Sequence, residues 1–349
     1  MRAAVYYDIG DIRGEDRPRP KPGPGEALLR IGAAGICGTD LRIYAKGHHR
    51  IPTGTNRILG HEFAGEIVDV GEGVAHLSAG MRVGVAPNMG CGVCTQCVAG
   101  WTNLCEDYTA FGISLDGAFA EYMIITADAI RQGNVVPIPD HIPFSVAALA
   151  EPLSCCFNGQ EAVSVGRDDV VLVVGAGPIG VMHLLLARLS GARTVIVSEL
   201  SEARGRQAQE HGADVVVNPQ QEDLHEAVLA ASSGEGASVI IVAAPAPRAQ
   251  EQSLDLAARQ GRINFFGGLP KSNPTIQFDS NLVHYKQLVV TGTTGSNVRQ
   301  YRSSMNLIVA GRIKLDGLIG ARLPLDRIHE GIERSKAGQE MRILVEPSA

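Results

Sequence analysis

Short apolar runs separated by glycine and proline dominate the N-terminal part of the chain. Their β-branched and apolar composition predicts strands joined by turns rather than helices. The proline-rich stretch 17–26 is typical of a loop. We therefore expect a β-rich domain, with its clearest strands at 3–7, 26–35, 65–71 and 81–86.

A different pattern begins after a second proline cluster at 136–143. Apolar runs now alternate with stretches of helical spacing such as 177–192, which predicts βαβ units and a parallel sheet. Six such runs are enough for one complete doubly wound domain. The predicted strands are 169–174, 194–199, 214–218, 238–244, 262–268 and 287–294.

Together these patterns predict an α/β chain of two domains. The first is expected to be β-rich and to cover residues 1–150. The second, the doubly wound parallel-sheet domain, is expected to cover 151–294. The remaining segment, 295–349, is too short for a domain of its own. We expect it to return to the first domain and complete it.

Composition and charge narrow the class of protein. The chain has 349 residues, of which 45% are hydrophobic and 19% charged, with a formal net charge of −6. This acidic balance weighs against a nucleic-acid-binding protein. The N-terminus has no apolar signal sequence, and the most apolar helical stretch, 181–189, is too short to span a bilayer. We predict a cytoplasmic protein with neither a membrane nor a nucleic acid as partner.

The loop GAGPIG at 175–180 follows a predicted strand and opens a predicted helix. In that context its glycines indicate a dinucleotide-binding loop, with the pyrophosphate at the helix N-terminus. Glu199 ends the next strand, where a carboxylate accepts ribose hydroxyls and repels a 2′-phosphate. This favours NAD over NADP, although Arg204 nearby keeps NADP open. The predicted cofactor residues of this region are Gly175, Gly177, Pro178, Ile179, Gly180, Glu199 and Arg204.

Four of the seven cysteines lie between residues 91 and 105, separated by two, two and seven residues. Clustered cysteines in a reducing compartment more often hold metal than form disulfides, and four thiolates suit a closed tetrahedral zinc site. The spacing does not match the bacterial iron–sulfur run, and a paired-histidine finger motif is absent from the sequence. The predicted ligands are Cys91, Cys94, Cys97 and Cys105.

Cys37, His61, Glu62 and Glu151 are scattered, but they are the residue types that hold a catalytic zinc with one open position. Spacing alone does not show that they converge. The stretches GICGTDLRIY, ILGHEFAGEIVDVG, CGVCTQCVAGWTNLC, EPLSCC and GAGPIG occur in this order along the chain. In these motifs the chain resembles the zinc-dependent medium-chain dehydrogenases. The EPL motif and Glu62 after His61 are most similar to the sorbitol (polyol) dehydrogenase branch.

The resemblance implies a GroES-like catalytic domain, built from both ends of the chain, around a Rossmann domain. It implies a catalytic zinc held by Cys37, His61 and either Glu62 or Glu151, and a structural zinc held by the four clustered cysteines. The zinc would polarise the substrate oxygen as a Lewis acid, and the substrate carbon would pass hydride to NAD.

Further site residues are implied in the same way. Thr39 would begin the proton relay, Tyr44 would line the substrate pocket, and Thr293 would meet the nicotinamide. Many relatives have a histidine three residues after the Thr39 position. This chain has Arg42, which cannot act as a general base because it keeps its proton.

The expected activity is NAD-dependent oxidation of a polyol or secondary alcohol by a homotetramer, with segment 262–294 at the contact between subunits. One alternative is a phosphorylated or cyclic polyol substrate, for which Arg42, Lys46 and Arg50 would supply positive charge. An NADP-dependent secondary alcohol dehydrogenase is the other alternative.

Overall fold

The computed structural model describes residues 1–348, which divide into two units. Unit 1 consists of Met1–Ser154 and the segment from Ser296 onward, and unit 2 consists of Cys155–Gly295. None of the helices in residues 1–348 is long and apolar enough to cross a membrane. The α/β class and the doubly wound parallel sheet predicted from the sequence are confirmed.

The N-terminal segment of unit 1 is mostly strands, as its short apolar runs predict. Strand β3 shows why, because eight of its nine residues are wholly or partly buried and leave little room for polar side chains. The elements are β1 Arg2–Asp8, β2 Asp11–Asp16, β3 Ala27–Gly35, α1 Gly38–Lys46, β4 Arg57–Ile58, β5 Glu62–Val70, β6 Arg82–Val85, β7 Asn88–Met89, α2 Thr95–Val98, β8 Thr109–Ala110, β9 Tyr122–Ile125, α3 Ala127–Arg131, β10 Val135–Pro137 and α4 Phe144–Ala147.

Unit 2 alternates strands and helices around a parallel sheet of order β13-β12-β11-β14-β15-β16. The central strands are continuous apolar runs because helices cover both faces of the sheet. Val171 and Val173 pack on one face, whereas Val170 and Leu172 pack on the other. The elements, beginning with a helix that crosses from unit 1, are α5 Ala150–Ala162, β11 Val170–Val174, α6 Pro178–Leu189, β12 Thr194–Ser198, α7 Glu202–Glu210, β13 Val215–Val217, α8 Leu224–Ala231, β14 Ala237–Val242, α9 Pro247–Leu256, β15 Ala257–Phe265, α10 Ser280–Lys286 and β16 Val289–Gly292.

The C-terminal segment adds two strands to the main sheet of unit 1. It contains α11 Val298–Val309, β17 Ile319–Leu323, α12 Ile328–Ala337 and β18 Arg342–Val345. The sheet has the order β10-β6-β5-β3-β18-β17, with β9 also pairing with β3. Strand β18 runs antiparallel to β3, with Leu344 opposite Gly35. This register brings the first residues of β18 beside the turn that leads from β3 into α1.

Candidate active site and metal sites

Strand pairing brings three of the predicted metal ligands together. Gly35, near the end of β3, lies opposite Glu62, the first residue of β5, and Cys37 and His61 flank these positions. One ligand atom from each of Cys37, His61 and Glu62 lies within 4.8 Å of the others. We call these three residues the buried trio, because His61 is 6% exposed and Glu62 is fully buried.

Gly35 is required for this arrangement. A side chain at Gly35 would collide with the carboxylate of Glu62. The absence of a Cβ there lets the Glu62 side chain lie across the strand toward Cys37. The glycine before Ile36 and Cys37 is therefore part of the site, although it contributes no ligand atom.

Asp40, which sequence reasoning missed, supports two members of the buried trio. Its Oδ2 accepts a hydrogen bond from the backbone N–H of Cys37 at 2.8 Å, and its Oδ1 lies 3.4 Å from His61 Nδ1. The side chain is 2% exposed. A carboxylate behind a histidine ligand fixes the orientation of the ring. The detectable signal was the capping-box spacing, since Asp40 is the third helical residue after the N-cap Cys37.

Arg342 brings positive charge to the buried trio from β18. Its Nη2 lies 2.9 Å from Glu62 Oε1, and its Nη1 donates to the carbonyl of Ile36 at 3.3 Å. Burial lowers the pKa of Arg342, but the surrounding charges of Glu62, Cys37, Glu151 and Asp40 outweigh it, so that the pKa is raised. Nothing in the sequence spacing indicated Arg342, because its position depends on the long-range pairing of β18 with β3.

Glu151 lies near the buried trio without belonging to it. Its carboxylate is close enough to raise the pKa of Tyr301, to which burial contributes most, and also that of Arg342. It occupies the first turn of α5 and is 7% exposed. The structure thus groups Glu62 with Cys37 and His61, and places Glu151 next to Tyr301 and Arg342.

The charges of this site fit a divalent cation. Cys37, Asp40, Glu62 and Glu151 are four acidic groups around the guanidinium of Arg342. Burial lowers the pKa of His61, but Asp40 and Cys37 outweigh it and raise the pKa well above its ordinary value. Both carboxylate oxygens of Glu62 are buried, and Oε2 has no hydrogen-bond partner among residues 1–348, since the ion pair with Arg342 is made by Oε1. A sulfur, a nitrogen and an oxygen ligand with this demand for positive charge suit zinc.

The four clustered cysteines form a second group. Their sulfur atoms all lie within 4.8 Å of one another, and none is in a disulfide. Backbone N–H groups point at the sulfurs, as from Cys94 to Cys91 Sγ at 3.4 Å. Hydrogen bonds from the backbone of Val93 and Cys94 lower the pKa of Cys91 to about 7. Four converging sulfurs suit a closed tetrahedral zinc with no position for substrate.

Two other predicted residues, Thr39 and Tyr44, lie on α1. Arg42 Nη2 donates a hydrogen bond to Thr39 Oγ1 at 2.8 Å. The ring of Tyr44 lies under Lys336 Nζ, 4.6 Å from its centroid, and packs against the core of unit 1. The role of Tyr44 in a substrate pocket stays a prediction.

Unit 2 contains a cavity of about 650 Å³ at the carboxyl ends of β11, β12 and β14. Gly177 is the N-cap of α6, and a side chain at Gly180 would collide with the carbonyl of Gly175, so the loop and helix meet closely. Thr293 lies just after β16, where its hydroxyl accepts from Asn264 Nδ2 at 3.3 Å. The predicted cofactor residues that line the cavity are Gly175, Gly177, Pro178, Ile179, Gly180, Glu199 and Arg204.

Backbone amides hold the carboxylate of Glu199 in place at this cavity. Its Oε2 accepts from Ala176 N–H at 2.7 Å, while its Oε1 accepts from Leu200 and Ser201 at 2.8 and 2.9 Å. These three bonds fix the orientation of the Glu199 carboxylate on one wall of the cavity.

Comparison with known proteins agrees with this geometry. The model of the alcohol dehydrogenase GroES-like domain matches residues 23–140, and that of the zinc-binding dehydrogenase matches residues 178–310. An L-threonine 3-dehydrogenase of Pyrococcus furiosus is 37% identical over 334 residues, covering 93% of this chain and 92% of that protein. A sorbitol dehydrogenase of Halalkalibacterium halodurans is 30% identical and covers 99% of each chain.

A solved structure extends the likeness to the whole fold. It comes from Sinorhizobium meliloti 1021, is described as a zinc-binding dehydrogenase, and was obtained with NADP bound. It is 32% identical, covers 99% of each chain and has a TM-score of 0.91. The chain therefore belongs to the zinc-dependent medium-chain dehydrogenase family and is an oxidoreductase that acts on CH–OH groups with NAD(P).

Proposed function

We propose that the chain is an NAD-dependent dehydrogenase of a small secondary alcohol, either a polyol or a hydroxy amino acid. The convergence of Cys37, His61 and Glu62 is the observation that carries this proposal. These residues would hold a catalytic zinc, which when bound polarises the substrate hydroxyl and lowers its pKa. Cys91, Cys94, Cys97 and Cys105 would hold a second, structural zinc.

Three residues of unit 1 have distinct roles in the proposed reaction. Asp40 fixes the imidazole of His61, and Arg342 balances the charge of Glu62. Thr39 would take up the hydroxyl proton of the substrate and release its own hydrogen to water. NAD, held by Gly175, Gly177 and Glu199, would supply the hydride acceptor. It would take the carbon-bound hydrogen with both electrons, and the alcohol would become a ketone.

The fixed carboxylate of Glu199 supports NAD as the cofactor. A 2′-phosphate beside it would meet like charge in a partly enclosed cavity. Arg204 is the one argument for NADP, and its Nη1 lies near the glycine loop, 3.9 Å from where a Cβ on Gly177 would be. This distance puts the guanidinium beside the glycine loop, where it would contact the pyrophosphate.

A phosphorylated substrate has less support. Arg50, one of the three cations that could bind a substrate phosphate, already donates to the carbonyls of Tyr108 and Glu106 at 3.0 and 2.6 Å. Its guanidinium also stacks on the ring of Tyr108, 4.2 Å from the centroid. A phosphate would have to break these contacts to be held by Arg50.

The test is a substrate panel followed by NADH absorbance. The panel contains L-threonine, sorbitol, 2,3-butanediol and sorbitol 6-phosphate, each with NAD and with NADP, before and after removal of zinc. We expect NADH formation with at least one unphosphorylated secondary alcohol and its loss in the zinc-free protein. Undiminished turnover in protein shown to contain no zinc would refute the proposal.

We further propose that the protein is a homotetramer. Strand β16 is an edge strand of its sheet, so its outer N–H and C=O groups have no strand to pair with inside the subunit. Three large apolar side chains are exposed in this region. Their exposed fractions are 44% for Phe278, 71% for Tyr285 and 53% for Val289. A second copy pairing at this edge would cover both the strand and these side chains.

A further inference from the structure

Arg42 is where the chain departs from the family pattern, and the structure gives it a defined partner. Residues 39 and 42 are almost one turn apart on α1, so their side chains are neighbours. Arg42 Nη2 lies 2.8 Å from Thr39 Oγ1. Across residues 1–348, the ion pairs between side chains do not include Arg42, so its charge is not cancelled by a bonded carboxylate.

The direction of this hydrogen bond follows from the two groups. A guanidinium has only donors, whereas a hydroxyl has two acceptor sites and one hydrogen. Arg42 must therefore donate to Thr39, and the hydrogen of Thr39 must point elsewhere. Within the described part of the chain, residues 1–348, one acceptor site and the hydrogen of Thr39 have no partner. Asp40, the next residue, is turned to the opposite side and is bonded to Cys37 N–H and close to His61.

We propose that Arg42 is a positioning residue, which fixes the hydroxyl of Thr39 for proton transfer. The proposal rests on the proposed function, because it needs a substrate hydroxyl at Thr39. The free acceptor site of Thr39 takes the substrate proton while the original hydrogen of Thr39 passes to water. The two transfers balance, and Arg42 neither gains nor loses a proton. Its positive charge also polarises the hydroxyl, so that the outgoing hydrogen is a better donor.

The alternative is that Arg42 is a solvated surface side chain whose contact with Thr39 is incidental. The two accounts differ in one measurable respect. A positioning residue acts through Thr39, so its effect must vanish when the Thr39 hydroxyl is removed. If the contact is incidental, replacing Arg42 should not change kcat. If Arg42 has a role independent of Thr39, replacing it should change kcat equally with and without the Thr39 hydroxyl.

The test is a double-mutant cycle with Arg42→Gln, Thr39→Val and the double variant, using the best alcohol of the panel. We expect Arg42→Gln to lower kcat about tenfold and Thr39→Val about a hundredfold. We expect the double variant to match Thr39→Val alone. Arg42→Lys keeps a charged donor and should restore most of kcat. Lys314→Gln, which removes the charge of an exposed lysine elsewhere in unit 1, is the matched control and should change kcat less than about twofold.

A second readout does not depend on turnover. Zinc content and thermal midpoint should match the original protein in all variants, and a crystal structure of Arg42→Gln should show a different rotamer of Thr39. Equal effects of Arg42→Gln with and without the Thr39 hydroxyl would overturn the proposal, as would an Arg42→Gln variant with unchanged kcat. An original protein that oxidises no alcohol would instead refute the proposed function, and that outcome is visible before any variant is made.

Discussion

At the scale of single residues, the geometry of the metal site depends on the residues that contact the ligands as well as on the ligands themselves. One carboxylate oxygen of Asp40 accepts a hydrogen bond from the backbone N–H of Cys37, and the other lies near the ring of His61. Glu62 is paired with Arg342, and Gly35 leaves the space into which its carboxylate extends. Asp40, Arg342 and Gly35, which are not among the metal ligands, thus fix the geometry of the site.

Replacing Asp40 by Asn keeps an oxygen for Cys37 N–H but removes the negative charge facing His61. We expect the affinity for the catalytic zinc to fall about 10- to 100-fold, as for other carboxylates behind a histidine ligand. Competition with a chelator measures it. Asp69→Asn, an exposed aspartate on β5, is the matched control. Equal zinc affinity in the two variants would contradict the role given to Asp40.

Replacing Glu199 by Gln removes the negative charge from the wall of the cofactor cavity. The preference for NAD over NADP, measured as the ratio of the two kcat/KM values, should fall by about tenfold or more, since tenfold corresponds to only ~1.4 kcal/mol. Glu202→Gln, an exposed residue of the next helix, controls for surface charge. A ratio unchanged in Glu199→Gln would show that Glu199 does not select the cofactor.

At the scale of elements, the six strands of unit 2 were predictable because each contains an apolar run that is followed along the chain by a helix. The last strand is shorter than predicted, with β16 covering Val289–Gly292 instead of 287–294. In unit 1 the run at 65–71 correctly predicts a strand, but β5 begins at Glu62. Local patterning does not show that a glutamate starts a strand, because its burial depends on pairing with Gly35 on β3.

The same reasoning explains what the sequence revealed of the site. Glycine, cysteine and histidine motifs are local, so Cys37, His61, the four clustered cysteines and the loop at 175–180 could all be singled out. Arg342 and Tyr301 could not, since their positions depend on where the C-terminal segment returns. Which acid lies with Cys37 and His61 was also undecided, because the answer depends on the register of β3 with β5.

Helix α6 contains a buried histidine that should make unit 2 sensitive to acid. His183 is fully buried, and both of its ring nitrogens are without a hydrogen-bond partner among residues 1–348. Burial lowers its pKa to about 3 from the ordinary 6.5. Below pH 6.5 His183 is protonated in the unfolded chain but neutral in the folded chain. The free energy of unfolding therefore falls as the pH drops toward 3.

Because of this histidine, the free energy of unfolding should be about 2 kcal/mol lower at pH 5 than at pH 7. His183→Leu should remove that part of the pH dependence, as measured by urea unfolding at both pH values. His225→Gln, at an exposed histidine of α8, should keep it. Zinc loss at low pH affects all three proteins alike and cancels in the comparison. Equal pH dependence in His183→Leu and the original protein would contradict this account.

At the scale of the whole molecule, the proposed assembly depends on one sheet edge. Light scattering after size exclusion should give four times the chain mass of 36.9 kDa. Val289→Lys places a charge on the edge strand and should yield smaller species, because a charged edge disfavours strand pairing. Ile9→Lys, at an exposed apolar residue of unit 1, should leave the tetramer intact. A monomer or a dimer in the original protein would refute this proposal.

The central claim is that the site with Cys37 is catalytic, whereas the site of the four clustered cysteines is structural. The most direct test measures zinc content and NADH formation in Cys37→Ser and Cys94→Ser. Each variant should lose one zinc per chain, since each removes a ligand from a different group. Serine is a good N-cap, so Cys37→Ser should keep its unfolding stability but lose NADH formation. Cys94→Ser should unfold more easily, and whatever folded protein remains should still form NADH. Full NADH formation by Cys37→Ser, or a Cys94→Ser variant that is stable but inactive, would contradict the account.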